Sequence, residues 1–546
     1  MAAEMLPAAV RALPAQGPST MPATPPMRVA VSGRTWGLLR TVLAAAAAAG
    51  LLASTAPPAG AQGNTVGGEG PSTLVYPPYR HTYGIHKART PHLRLFLGDR
   101  TVFADPQGLA AVKLAEHDDP KIKGDDFQLT LFGLNAGRGE IIYNSSMQTL
   151  AIYGTHGSGE GQFDRPRGIA ADVHGRVYVA DTGNRRVARL TWKDRQLRWS
   201  GTVPGTFVEP WGVAAAPEGA EVFVSDRAGG QVYRWTPPPA RPGAAGEETP
   251  DGAAPAAEGS PPGGDVPTPV FSGGIDRPTA IAVLDRDERW LHGREDALFV
   301  VHGDGATLSK FDGEGRLLAR VEAADLEPPR APAAFGWIAA DYYGNVWVTD
   351  AANGTIWKFD RELRFLTRWG ETGDGEYQLD EPRGIAIWKR FGQVFVAERQ
   401  GAQYFFVGTD VRLPDDRVRV RAAGPPEARR YAFDAFFTDP TELTLRFLDA
   451  RGAVVDSLTL EETLGGGAAE VAWEADPGAP DLASRAVRIA IEPRPTYSSR
   501  RRFFRRMERE IAWDAAPPAE AYGASPPIGA VGAGADRTTA AEARRP

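Results

Sequence analysis

The sequence predicts an all-β protein, a six-bladed β-propeller followed by a small β-sandwich. A unit of short apolar strands that opens with Pro-x-Gly recurs at intervals of about 44 to 68 residues, and the shortest intervals match the period of about 40 to 50 residues that propeller blades show. After the last unit, seven short strands of alternating character follow within about 100 residues, which is typical of a β-sandwich. The units begin at Pro106, Pro166, Pro210, Pro278, Ala334 and Pro382.

The clearest unit is PRGIAADVHGRVYVADTGNRRVARL, from Pro166 to Leu190. Its first two strands are joined by His-Gly, and a third strand follows Asp-Thr-Gly-Asn. Four-stranded units of this kind cannot bury their faces alone, so the blades must stack around an axis and close into a ring. No fourth strand follows the last third strand, GAQYFFVG, before Arg412. We therefore expect HLRLFLGD, residues 92–99, to supply the outer strand of the sixth blade and to cover its edge.

These patterns set the domain boundaries. We expect the propeller over residues 91–411 and the sandwich over residues 412–513. A segment rich in proline and glycine, residues 236–268, has no apolar periodicity and predicts a disordered insert between the third and fourth strands of blade three. Residues 62–90 are expected to be a linker, and residues 514–546 a disordered tail.

Residues 1–61 have the pattern of a secretory signal region. Three arginines precede an apolar run at 42–53, and Ala59-Gly60-Ala61 forms an A-x-A site. We expect cleavage after Ala61, which predicts a secreted or periplasmic protein. The apolar run is shorter than the roughly 20 residues that a membrane span requires, so no transmembrane segment is expected in the mature chain.

Composition excludes several classes of function. The 546 residues include no cysteine, so disulfides, thiol catalysis and cysteine-ligated zinc are ruled out. The net charge of -7 and the isoelectric point of about 5.8 give no overall basic field, which argues against a nucleic-acid partner. We expect a monomer.

Two parts of the chain resemble known families. The P-x-G-I-A-x-D and V-Y-V-A-D-T-G-N-R-R-V arrangement at 157–187, with a second close copy at 373–396, resembles the NHL repeat, whose members form six-bladed β-propellers. The stretch that begins ELTLRFLDARGAVVDSLTL at Glu442 resembles the immunoglobulin-like module of flagellar hook-capping proteins, although Gly-Val-Tyr before its last strand is replaced. These resemblances imply the fold and leave the function open.

One column of candidate residues ends the second strand of each blade. Read as chemistry, it is an acidic circle that could hold a cation or act as a general base. Read as structure, it is the residue that each turn needs, because its carboxylate accepts nearby backbone N–H groups. Recurrence in successive blades favours the turn. The column consists of Asp181, Asp226, His302, Asp350 and Glu398.

A second column is the variable residue of Pro-x-Gly, expected near the mouth of the central channel. Two arginines and two aromatic residues at this position could clamp an anion, a sugar or a peptide. The same residues could instead pack between blades. The column consists of Gln107, Arg167, Trp211, Thr279, Phe335 and Arg383.

The preferred functional interpretation is a secreted, non-enzymatic binding or scaffold protein. One face of its propeller would bind a protein, peptide or glycan ligand, and neither a cofactor nor a catalytic residue is assigned. The alternative is a calcium- or zinc-dependent lyase or lactonase-type hydrolase on the same propeller, with Asp181, Asp226, Asp350 and Glu398 as candidate metal ligands. A zinc lyase of this fold would need converging histidines. The four histidines of the blades lie at different strand ends and outside the Pro-x-Gly column: His156, His174, His292 and His302.

Overall fold

The computed structural model describes most of the predicted propeller and the C-terminal domain. The described residues are 72–77, 85–117, 129–146, 149–238, 266–424, 429–460, 463–475, 481–497 and 506–514. The predicted signal region, the tail beyond residue 514 and the centre of the insert lie outside them. Among the described helices, none combines the length and the apolar composition that a membrane crossing requires.

Six antiparallel sheets form the blades, and in blades one to five the strands follow one another in chain order. Blades one and two consist of β3 (Pro106–Val112), β4 (Thr130–Asn135), β5 (Glu140–Ser146) and β6 (Thr149–Tyr153), and of β9 (Pro166–Ala171), β10 (Arg176–Asp181), β11 (Arg186–Lys193) and β12 (Gln196–Thr202). Blades three and four consist of β13 (Pro210–Ala215), β14 (Val222–Asp226), β15 (Gln231–Trp235) and β16 (Thr268–Pro269), and of β17 (Ile281–Leu284), β18 (Ala297–His302), β19 (Thr307–Phe311) and β20 (Leu317–Glu322). Blade five consists of β21 (Ile338–Ala340), β22 (Val346–Asp350), β23 (Thr355–Phe359) and β24 (Phe365–Trp369), and the first three strands of blade six are β27 (Ile385–Trp388), β28 (Gln393–Glu398) and β29 (Gly401–Val407).

Shorter elements connect the blades. Two parallel strand pairs precede blades two and six: β7 (Thr155–His156) with β8 (Gln162–Phe163), and β25 (Glu371–Thr372) with β26 (Gln378–Leu379). Single turns of 3-10 helix lie at Gly98–Arg100, Ala115–His117, Ala136–Arg138, Thr182–Asn184 and Ala323–Asp325. The predicted insert joins the third and fourth strands of blade three as expected, since β15 ends at Trp235 and β16 begins at Thr268.

Hydrophobic side chains between neighbouring blades form the core. The second strands of blades three and five are buried at every residue, because each blade is covered on both faces by its neighbours. Between blades one and two, the Trp192 ring meets the rings of Phe132 and Tyr143 edge-on, with centroids 5.9 and 5.6 Å apart. The same packing recurs at successive blade interfaces and replaces the disulfides that the chain cannot form.

Glycine allows the innermost strands to approach one another around the axis. A Cβ atom on Gly168 would lie 2.7 Å from the carbonyl oxygen of Trp211 in the next blade. A Cβ atom on Gly384 of blade six would lie 2.2 Å from the carbonyl oxygen of Gln107 in blade one. Both distances are shorter than a carbon atom tolerates, so Pro-x-Gly is a packing requirement of the ring, and blade six meets blade one.

The outer strand of blade six is not the one that the sequence predicted. Residues 92–99 were expected there, but Thr90–Leu97 form helix α1, which buries Leu93 and Leu97 one turn apart. The edge of β29 is instead covered by β1 (Leu74–Val75) and β2 (Lys87–Arg89). The apolar residues of HLRLFLGD therefore lie on a helix face. The propeller begins before residue 91, inside the predicted linker.

The C-terminal domain is a separate mixed sheet. Its strand β37 (Met507–Asp514) pairs antiparallel with β36 (Arg488–Pro495) through its first half and parallel with β31 (Val418–Ala423) through its second half, so one strand joins the two halves of the predicted sandwich. Apolar residues from both halves form a single hydrophobic cluster. The elements are β30 (Val411–Arg412), β31 (Val418–Ala423), β32 (Arg430–Phe437), β33 (Thr441–Leu448), β34 (Val454–Thr459), β35 (Gly467–Glu474), helix α2 (Leu482–Arg485), β36 (Arg488–Pro495) and β37 (Met507–Asp514).

A buried ion pair joins this sheet to the propeller. Lys358 of blade five contacts the carboxylate of Asp439, and its Nζ donates a hydrogen bond of 2.9 Å to the carbonyl oxygen of Thr438. The side chains of Lys358 and Asp439 have no exposed surface. Nearby, the hydroxyl groups of Tyr343 and Thr496 are hydrogen-bonded. The C-terminal sheet thus packs directly on blade five.

Candidate functional site

The turn column consists of carboxylates that are buried and fully engaged in local hydrogen bonds. Asp181, Asp226, Asp350 and Glu398 are at most 1% exposed. Asp226 accepts hydrogen bonds from the backbone N–H groups of Val208 and Glu209, both at 2.7 Å, and of Gly229 at 3.0 Å. Two of these donors precede the first strand of the blade, so Asp226 ties that entry segment to the turn.

The other blades repeat this arrangement with small changes. Asp181 accepts from the backbone N–H of Asp164 at 2.8 Å and from Arg186 Nε at 2.8 Å. Glu398 accepts from the backbone N–H of Asp380 at 3.0 Å and is paired with Arg89 of β2. Burial raises the pKa of Asp181, although its hydrogen bonds oppose the shift.

Asp350 and His302, the remaining members of the column, also have local partners. Asp350 accepts from the side-chain amide of Asn353 at 2.8 Å and from the indole N–H of Trp357 at 3.2 Å. His302 Nε2 lies 2.9 Å from the hydroxyl of Ser309, and burial lowers the pKa of the imidazole. Within the described ranges, no three His, Asp or Glu side chains come together in an arrangement that could hold a metal ion.

The residues that precede the blade prolines have an unusual backbone conformation. Asp105, Arg165, Arg277 and Glu381 have φ between +38° and +52°, and a proline follows each of them. This left-handed region is uncommon for a residue other than glycine, and such strain is found preferentially at functional sites. All four residues are charged and lie on the propeller face that carries the turn column, which we call the turn face.

On the turn face, two arginines from neighbouring blades meet one carboxylate. Arg383 of blade six donates to Asp105 Oδ1, and Arg167 Nη1 of blade two lies 4.0 Å from Asp105 Oδ2. The side chains are 22%, 27% and 42% exposed for Arg383, Arg167 and Asp105. Gln107 is 5% exposed and donates to Asp105 Oδ1 at 2.9 Å. We call Arg167 and Arg383 the arginine clamp; the sequence predicted both residues but missed the acid between them.

Trp211 extends the arginine clamp towards blade three. The guanidinium carbon of Arg167 lies 4.9 Å from the Trp211 ring centroid, and that of Arg227 lies 5.2 Å from it. Arg227 is paired with Glu209 at 2.9 Å and with Asp304 at 2.7 Å. The contact between Arg227 and Asp304 extends this row of charged side chains to blade four, where Asp304 also pairs with Arg277.

Two kinds of position carry the residues that the sequence missed. Asp105 lies directly before a blade proline, and Arg227 directly follows a turn carboxylate. Both positions can be read from the repeat once the blades are aligned. The repeat pattern does not show which side chains from different blades contact one another.

Phe335 lies apart from these residues. It is 4% exposed and packs edge-on against Phe359, with ring centroids 6.0 Å apart, within the core between blades four and five. Its blade opens with Ala334 instead of proline, and the Pro-x-Gly register is lost there. The structure therefore places four of the five predicted ligand-binding residues together and puts Phe335 in the core.

The two arginines of the clamp differ in how well they are paired. Burial lowers the pKa of both guanidinium groups, and the nearby charges of Arg165 and Arg399 add to the shifts of Arg167 and Arg383 respectively. Arg383 is hydrogen-bonded to Asp105 and lies 3.2 Å from a carboxylate oxygen of Glu381. Among the described residues, the guanidinium of Arg167 has no hydrogen-bond acceptor, and its nearest carboxylate oxygen is the one at 4.0 Å.

Comparison with known proteins identifies one repeat family and several distant structural similarities. Residues 163–190 match the NHL repeat. No curated protein matches the chain in sequence. A streptogramin B lyase structure is 13% identical over 56% of this chain and 94% of its own, with a TM-score of 0.33. Virginiamycin B lyase from Staphylococcus aureus is 14% identical over 51% of this chain and 76% of its own, also with a TM-score of 0.33.

A catalytically inactive form of that lyase, solved with quinupristin, is 12% identical over 55% of this chain and 95% of its own, with a TM-score of 0.34. At these values the similarities say nothing about what this chain binds or converts. The chain carries an NHL repeat within a six-bladed β-propeller.

Proposed function

We propose that the protein is an exported, non-enzymatic binding protein whose turn face holds a protein, peptide or glycan ligand through the arginine clamp and Trp211. The observation on which this rests is Arg167. Its guanidinium is partly buried, stacked on Trp211 and hydrogen-bonded to no described residue. A planar cation in this state is suited to bidentate recognition of an anionic group on a ligand.

Contacts other than those of Arg167 and Arg383 hold the ring together. This favours a binding role for the two arginines over a packing role. Neighbouring blades are joined by apolar clusters and by the close backbone contacts of the Pro-x-Gly glycines. Partly exposed ion pairs such as Arg167 with Asp105 contribute only about 0 to 1 kcal/mol to stability. A partly exposed aromatic and two arginines on one face are also the residue types that dominate binding energy in interfaces.

The turn column supports the same proposal over the metal-dependent alternative. The carboxylate oxygens of Asp226 accept three backbone hydrogen bonds, and those of Asp181 accept from a backbone N–H and two side chains. Carboxylates engaged in this way would have to give up these bonds to bind a cation. Metal analysis of the purified chain, with melting curves before and after chelation, tests the alternative directly.

In this proposal the C-terminal domain carries the propeller. The resemblance to the immunoglobulin-like module of flagellar hook-capping proteins suggests that it attaches the propeller to another protein or surface. The buried contact of Lys358 with Asp439 would keep the turn face fixed relative to that attachment.

The test is a double substitution, Arg167→Ala with Arg383→Ala, in the chain recovered from the exported fraction. N-terminal sequencing of that chain is expected to begin at Gln62. On arrays of acidic and neutral peptides and glycans, the double variant should lose binding at least about ten-fold, with little change in melting temperature. The matched control, Arg198→Ala with Arg364→Ala, removes two exposed arginines from other surfaces and should bind as the parent does.

Equal binding by the clamp variant and the parent would refute the proposal. A large loss of stability in the clamp variant would instead show that the two arginines are packing residues.

A further inference from the structure

Asp105 occupies a strained position between the two arginines of the clamp. Its φ is +52° and Pro106 follows it, a combination that sterics disfavour for a residue with a Cβ atom. This conformation places its side chain, 42% exposed, at the arginine clamp. The carboxylate satisfies the two arginines unequally. Oδ1 accepts from Arg383, whereas Oδ2 is 4.0 Å from Arg167.

A second acid on the same face shows what full pairing looks like. Asp304 lies 2.7 Å from Arg227 Nε and 2.6 Å from Arg277 Nη1, so each of its oxygens has one arginine at hydrogen-bond distance. Its φ is also in the left-handed region, at +56°. Asp304 and Asp105 therefore have the same chemistry and backbone conformation, but only Asp105 leaves one of its arginines short of a hydrogen bond.

We propose that Asp105 holds the place of a ligand carboxylate, and that the ligand of the turn face is an acidic peptide whose carboxylate displaces it. This inference rests on the proposed function of the arginine clamp. A single carboxylate already lies between the two arginines, hydrogen-bonded to Arg383 and 4.0 Å from Arg167, so the spacing of the clamp suits one carboxylate group. A free carboxylate can approach Arg167 within hydrogen-bond distance, which Asp105 does not do from its place in the backbone.

This arrangement makes Asp105 a selectivity residue. While Asp105 is in place, its charge repels an incoming carboxylate and neutralises the nearer arginine. A lone carboxylate therefore gains little by replacing it. A peptide that also contacts Trp211 or neighbouring charges gains enough to displace it, and weak anions are excluded. Removing the carboxylate of Asp105 should therefore strengthen binding, the opposite of what removing a ligand-contacting residue does.

The experiment measures the affinity of the full chain for a hexaglutamate peptide by isothermal titration calorimetry at low ionic strength. In Asp105→Asn, the dissociation constant is expected to fall on the order of ten-fold, and the melting temperature should be unchanged or slightly higher, because asparagine tolerates positive φ. Asp105→Gly removes the carboxylate and relieves the backbone, and it should show the same gain. A trigalacturonate probe carries the same carboxylate chemistry on a glycan, so a gain for that probe alone would overturn the peptide assignment.

The matched control is Asp304→Asn, which makes the same change in net charge on the same face but outside the clamp. An equal gain in this variant would overturn the inference, because the effect would then be one of overall charge. Unchanged affinity in both Asp105 variants would overturn it as well. The proposed function is tested separately. It is refuted if the variant Arg167→Ala with Arg383→Ala binds hexaglutamate as tightly as the parent does.

Discussion

Two sets of acidic residues on the turn face have opposite environments. Asp226 and its counterparts are closed off from solvent and accept hydrogen bonds from backbone and side-chain groups of their own blade. Asp105 and Asp304 are partly exposed: Asp105 lies between arginines of blades six and two, and Asp304 pairs with Arg227 of blade three and with Arg277 of its own blade. In the sequence both kinds are acidic residues near turns, and one unit seen alone does not distinguish them.

The difference teaches how a repeat protein separates structure from recognition. The turn carboxylates of blades two, three and six recur because each accepts a backbone N–H of the segment that enters its blade, and an unsatisfied buried N–H is costly. The charged residues around the blade prolines vary from blade to blade, and some of them pair across blades, as Asp105 does with Arg383. Variation within a repeated frame is thus the better guide to the proposed binding residues.

The largest loss of stability is expected from deleting residues 72–89. This deletion tests how far the buried turn carboxylates depend on closure of the ring. The deletion exposes the edge of β29 and removes Arg89, the partner of the buried carboxylate of Glu398. Breaking such a pair alone costs about 3 to 5 kcal/mol, and the lost strand adds to this. We expect loss of cooperative unfolding, followed by circular dichroism during heating. A deletion of equal length at 242–259, in the connection between β15 and β16, should leave the melt unchanged; an unaltered melt in the first variant would contradict closure by β1 and β2.

A smaller effect on the free energy of unfolding should distinguish the buried turn carboxylates from the partly exposed acids. Asp226→Asn places an amide among three backbone donors and should reduce the free energy of unfolding by about 2 to 4 kcal/mol. Asp304→Asn breaks only partly exposed ion pairs and should cost about 1 kcal/mol or less. Urea denaturation of both variants measures the difference. Equal costs would mean that the distinction between buried and exposed carboxylates is wrong.

The last effect concerns a third acidic environment, the contact between the C-terminal sheet and blade five. Burial raises the pKa of Asp439 to about 7, although Lys358 opposes the shift, and Asp341 adds to it. Tyr343 and Tyr497, the other titratable groups beside it, carry raised pKa values for the same reason. Because the pKa of Asp439 in the folded protein lies above that of the unfolded chain, its protonation stabilises the fold below about pH 4, and this contribution is lost as the pH rises through about 7.

The measurement is the difference in unfolding free energy between the parent and Asp439→Asn, taken from pH 4 to pH 8. The parent should lose stability relative to the variant over this range. A difference that stays constant, or that changes in the parent's favour, would show that the ion pair with Lys358 outweighs burial.

Most of the fold was predictable because its determinants are local. The Pro-x-Gly starts, the apolar second strands and the turn residues such as Asp181 are each set within one unit, and several copies in phase reinforce one another. The same reasoning failed for HLRLFLGD, where alternating apolar residues at 92–99 fit a strand and a helix face equally well. It also failed for Phe335, whose blade has lost the proline that sets the register.

The sequence by itself determined the repeated blade, its buried turn carboxylates and the identity of both arginines of the clamp. Only the tertiary structure decided that residues 74–75 and 87–89 close the ring, and that Arg167 and Arg383 meet at Asp105. Hydrogen bonds within a blade join residues that are close in the chain, so periodicity reveals them. Closure of the ring joins residues more than 200 positions apart, and such contacts depend on how all six blades pack around the axis.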